Sequence, residues 1–179
     1  MKNKNIIKHG FTLMELLAVV SIIGILASIA LPLYRNAVDK SRWARLISPA
    51  RSIANAEEAI MVSNGYYTAN KDELVVSLPT DSDLNYTLYT VANGDAANLV
   101  RVESSKLEDV RLARYYKENT DESENVYCEA QQDNDRAKKI CSKVLKGTEV
   151  SVTDDGYKTY LIEGKMPEVC NWWSNTNNT

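Results

Sequence analysis

From Phe11 to Leu33 the sequence offers one charged side chain, Glu15, inside an otherwise apolar run. A helix rises 1.5 Å per residue, so about 20 apolar residues cross a hydrocarbon core of about 30 Å. A chain carrying such a stretch must place it in lipid or cover it with protein. The residues before it, Met1 to Gly10, carry Lys2, Lys4 and Lys8 and no acid, and a cationic flank keeps that end of a membrane segment cytoplasmic. The run therefore reads as a span, with the bulk of the chain exported. A cleaved secretory signal is the competing reading, because Ala27-Ser-Ile-Ala30 supplies small residues near the end of the run. Against it stand the length of the run and the helix-forming sequence that continues past Leu33.

Glu15 is the costly residue. A carboxylate at the centre of a membrane segment costs about 2.5 to 3.5 kcal/mol, less near an end, and is kept where it does something.

Gly10-Phe11-Thr12-Leu13-Met14-Glu15, followed by the apolar helix, resembles the prepilin motif of the type IV pilins and the type II secretion pseudopilins. The resemblance covers roughly residues 8 to 67. It implies that a membrane-embedded prepilin peptidase cuts after Gly10 and N-methylates Phe11, the single phenylalanine of the sequence. It also implies that Glu15 pairs with the Phe11 amine of a neighbouring subunit, neutralising both charges in a water-poor filament core. Gly24 and Pro32 are placed like the glycine and proline between which the family's helix can melt on entering a filament. Proline removes a backbone donor and glycine is a weak helix former. A simple kink at these residues is the other reading.

The helix should continue beyond the membrane. Val38, Leu46, Ile53 and Ile60 recur at spacings of eight, seven and seven, with Ile47, Ala50, Ala54 and Met61 beside them. Arg35, Asp39, Arg42, Arg45, Arg51, Glu57 and Glu58 supply polar faces. Asn64-Gly65 gives a stop, and a single helix over 11–64 would be about 80 Å long. Pro49 predicts a second, gentler bend. The cations Arg35, Lys40, Arg42, Arg45 and Arg51 follow the span, where they would meet lipid phosphate and later the acids of neighbours.

After Gly65 the periodicity changes. Residues 70–83 read as a loop whose Leu74, Val75, Val76 and Leu78 tuck under the helix. Strands are expected at 86–91, 99–102, 110–116, 126–128 and 157–162, the first two joined by a hairpin-type connection at 92–95. A helix is expected over 131–145. The fold class is α+β, a long N-terminal helix packed on a C-terminal antiparallel sheet. The expected divisions are a leader (1–10), a spanning half of the helix (11–33), an amphipathic half (34–64) and a globular β-rich domain (65–179).

Three cysteines permit three single pairings. An exported domain is oxidised, and short separation favours Cys128 with Cys141; a link from Cys170 to either is the alternative. Trp172 and Trp173 read as cover for one edge of the core.

Composition narrows function. The formal net charge is −3, and loss of the three leader lysines with no acid takes it to −6, which gives no global attraction to nucleic acid. The one histidine, His9, lies in the leader, so the processed chain lacks imidazole for a nucleophile pair or a histidine metal site. No glycine-rich phosphate loop is present. No catalytic, metal or cofactor residue is nominated, and an enzyme is not expected. What the resemblance implies is a structural subunit that polymerises into a type IV pilus, with copies of itself, prepilin peptidase and the inner-membrane assembly machinery as partners. It implies an inner-membrane precursor that becomes a surface filament. A type II secretion pseudopilin and a signal-anchored, non-polymerising adhesion domain are the alternatives.

Overall fold

A computed structural model describes residues 11–79, 81–91, 98–116, 125–152 and 156–163. Gly10, Cys170, Trp172, Trp173 and the expected connection at 92–95 lie outside them. The order is α1 (Leu13–Asn64), a 3₁₀ turn (Lys71–Glu73), β1 (Leu84–Tyr89), β2 (Leu99–Ser104), β3 (Val110–Tyr115), β4 (Val126–Gln131), α2 (Asp135–Lys139) running into a π-helical turn (Ile140–Val144), β5 (Thr148–Val152) and β6 (Tyr157–Glu163). The chain divides into two units, residues up to Ala37 and residues from Val38.

In the first unit none of the described residues is buried. Its apolar stretch has a mean hydropathy of 2.6, and none of it is buried among the described residues. Leu13, Met14, Ile25 and Leu33 are all more than half exposed. The helix is unbroken through Gly24 and Pro32. Two hydroxyls inside it are satisfied locally: Ser21 Oγ donates to the Leu17 carbonyl at 2.8 Å and Ser28 Oγ to that of Ile25 at 2.7 Å, which lets polar side chains sit in apolar surroundings.

In the second unit the six strands form one antiparallel sheet ordered β1-β2-β3-β4-β6-β5. Alternation assigns the faces. Tyr86, Leu88, Val100, Val102, Val110, Leu112, Val126, Cys128, Ala130 and Tyr160 point inward and form one core with Trp43, Leu46, Ala50, Ile53 and Ala54 of α1. The apolar spacing that predicted an amphipathic helix is therefore the stripe on which the sheet closes. Leu99, Ala113, Tyr127 and Leu161 are buried on the other face, where Glu129 bonds both Arg101 and Arg111. Central strands β3 and β4 are thus covered on both sides.

Several expectations need correction. Asp39 and Glu57, assigned to polar faces, are buried; Asp39 is paired with Arg42 and Arg136. Val75, expected to tuck under the helix, is 98% exposed, whereas Leu74 is buried. The helix expected over 131–145 starts later, because Gln131 closes β4 and Asn134 caps α2 by accepting from the Arg136 and Ala137 amides. Strand β5 was not expected. Of the cation cluster, Arg42 donates to the Lys106 carbonyl at 3.0 Å and Arg45 pairs with Asp81 and Asp83 at 2.7 and 3.2 Å. These two residues fasten α1 to the β1 entry and the β2–β3 turn.

Candidate assembly site

The start of α1 is built by two residues. Glu15 Oε2 accepts from the Thr12 amide at 2.9 Å and from Thr12 Oγ1 at 2.8 Å, while the Glu15 amide donates back to Thr12 Oγ1 at 3.2 Å. With Leu13 the first helical residue, Thr12 is the N-cap and Glu15 the third residue of the helix. The arrangement is a capping box, which satisfies backbone donors that the first turn leaves without partners. A carboxylate there also faces the positive end of the helix dipole. The sequence reading takes Glu15 as a membrane cost and, by resemblance, as a partner of the Phe11 amine, and passes over Thr12; the signal that finds the cap is the Thr-x-x-Glu spacing ahead of an apolar run.

Phe11 is 83% exposed, immediately before the cap. The capped carboxylate stays on the surface, in the first turn of the uncovered helix. Further along, an added Cβ on Gly24 would meet nothing within 4 Å, so packing within the chain does not require a glycine there. Pro32 leaves the Ser28 carbonyl without its usual helical donor, and the helix nonetheless continues through both residues.

The second unit is closed covalently. Cys128, on the inner face of β4, is disulfide-bonded to Cys141 in the π-helical turn, with Cα atoms 5.6 Å apart and a sequence separation of 13. This is the short-range pairing expected from the sequence. Both cysteines are fully buried, so the bridge staples α2 and its turn to the inner face of the sheet. Among the described residues no cluster of three or more His, Cys, Asp or Glu could hold a metal ion.

The family model for the prokaryotic N-terminal methylation motif matches residues 7–31. The chain is 31% identical over 107 residues to a fimbrial protein of Pseudomonas aeruginosa, a match covering 59% of this chain and 66% of that protein. It is 34% identical over 91 residues to the type IV major pilin protein PilE1 of Neisseria gonorrhoeae, covering 50% of this chain and 42% of that one. It is 43% identical over 56 residues to the type IV major fimbrial protein FimA of Dichelobacter nodosus, covering 31% and 36%. The matches span 66% or less of the length of these three relatives. An uncovered apolar helix opened by a Thr12–Glu15 box and packed further along on an antiparallel sheet defines a pilin-like protein. With the methylation motif and these relatives, the chain belongs to the type IV pilin family.

Proposed function

We propose that the chain is a structural subunit of a type IV pilus, processed after Gly10, methylated at Phe11 and polymerised through the first half of α1. The observation that carries this reading is the apolar helix, long enough to cross a membrane, none of whose apolar stretch is buried among the described residues. Burying such a surface is worth about 25 cal/mol per Å², so lipid before assembly and neighbouring helices afterwards are the media that suit it. Leader lysines, apolar span and exported disulfide-closed unit fit an inner-membrane precursor with a cytoplasmic N-terminus that is later drawn to the cell surface. Prepilin peptidase and the assembly machinery of the inner membrane are its partners in that sequence.

Glu15 has two roles in this reading, the cap within its own chain and the charge that pairs with the Phe11 amine of the next subunit. Two substitutions separate them. Glu15→Gln keeps a side chain that completes a capping box but removes the charge, and Glu15→Ala removes both. Both variants are expected to insert in the membrane and to give few or no surface filaments by electron microscopy. Wild-type piliation by Glu15→Gln contradicts the charge-pairing role.

A further inference from the structure

Glu57 lies on α1 in the second unit, has no exposed surface and is the residue around which the chain leaves the helix. Its Oε2 accepts the backbone N–H of Thr68 at 3.0 Å in a buried bond, while its Oε1 is buried without a partner. Between the two ends of that bond α1 stops at Gly65, whose φ of +80° suits a residue with no Cβ. The chain then turns back, so that Tyr67 and Thr68 are buried and the Tyr67 ring lies 5.0 Å from that of Tyr116.

We propose that Glu57 is a pH-sensitive catch that holds the helix-exit loop, residues 65–78, against the second unit. Burial with one unpartnered oxygen and, among the described residues, no cation bonded to it favours the protonated form of this carboxyl. Against the Thr68 amide, which favours the charge, stand groups that disfavour it. On its own helix the neighbour is Glu58, which accepts from the Tyr67 hydroxyl at 3.3 Å. The loop contributes Glu73, and the residue after β3 contributes Tyr116, whose hydroxyl is also buried without a partner. Burial pushes the Glu57 carboxyl up to about 7 from an ordinary value of 4.5; the Thr68 amide pulls it down, and Glu73 and Glu58 push it further up.

The direction of the effect follows from linkage. With the loop released, Glu57 is solvated and returns to about 4.5. Below that pH both states are protonated and the catch holds fully. Between about 4.5 and 7 the released state loses its proton first, so release gains about tenfold per pH unit. Above about 7 both states are ionised and the gain levels off near 300-fold. The loop carries Tyr66, 52% exposed, and Val75, 98% exposed, so the catch sets how firmly those apolar side chains are held in place.

Hydrogen exchange followed by mass spectrometry on the full chain in detergent, corrected for the intrinsic pH dependence of exchange, tests this on peptides covering 65–78. Wild type should show release rising about tenfold per unit from pH 5 to 7 and then flattening, and Glu57→Gln should show no such rise. A flat wild-type profile, or the same rise in Glu57→Gln, overturns the proposal. Should the variant fail to fold, the carboxyl resonance of Glu57 in wild type decides: a midpoint near 7 supports the catch and one near 4.5 overturns it.

Discussion

Asp83 shows how much of this structure rests on single charged residues that look interchangeable in the sequence. In the sequence it is the last residue of the loop read over 70–83. In the structure its carboxylate meets Lys106 at 3.1 Å, Arg45 at 3.2 Å and Ser104 Oγ at 3.4 Å, joining the β1 entry, the β2–β3 turn and α1. The Lys106 hydrogen bond, followed by Arg45, holds its carboxyl below the ordinary 3.8. A carboxyl depressed on folding contributes stability above its unfolded value and loses it as pH falls through the folded one. Asp83→Asn is therefore expected to melt at a lower temperature than wild type at pH 6, with the gap closing as pH falls below about 3.8. Thermal melts across that range check this, and a gap that does not change with pH contradicts it. Glu57 is the reverse case, an acid that helical spacing places in line with the buried Leu46, Ala50 and Ile53 and whose hydrogen-bond partner, the Thr68 amide, arrives from a turn eleven residues later.

Elements were legible where hydrophobic pattern decided them. The α1 stripe, and strands β2, β3, β4 and β6, are carried by alternating apolar residues that pack on one another. Strand β5 was missed although Thr148-Glu-Val-Ser-Val152 alternates β-branched and polar residues, a short signal; in the structure it pairs with β6 at the end of the sheet. Its entry depends on Gly147, where an added Cβ would sit 2.6 Å from Ile162 Cδ1 and 2.9 Å from the Cys141 carbonyl oxygen. Gly147→Ala should cost about 1 to 3 kcal/mol by overpacking, read by chemical denaturation. A stability unchanged from wild type would show that β5 and the turn shift freely. The disulfide acts at the same scale: closing a loop of about 14 residues is worth roughly 3 kcal/mol in the chain-entropy model. Reduction, or Cys128→Ser with Cys141→Ser, should lower the denaturation midpoint accordingly, and an unchanged midpoint contradicts a stabilising bridge.

At the scale of the whole molecule the two units divide the problem that the sequence sets. Residues 13–37, none of them buried, belong to a helix with an apolar surface long enough to cross a membrane. Residues from Val38 form a core between helix and sheet that a single chain completes. The apolar helix and the N-terminal methylation motif were legible because both are features of local sequence. The pairing of Arg45 with Asp81 and Asp83 and the bond from Thr68 to Glu57 were not, because each depends on a partner that folding brings near; the Thr12 cap was carried by a local spacing and missed. The central claim, that this is a processed subunit of a surface filament, is tested most directly by mass spectrometry of the N-terminal peptide of the protein recovered from sheared surface filaments. The account predicts a chain beginning at N-methylated Phe11. A chain beginning after Ala30 or at Met1, or absence of the protein from the filament fraction, would contradict it.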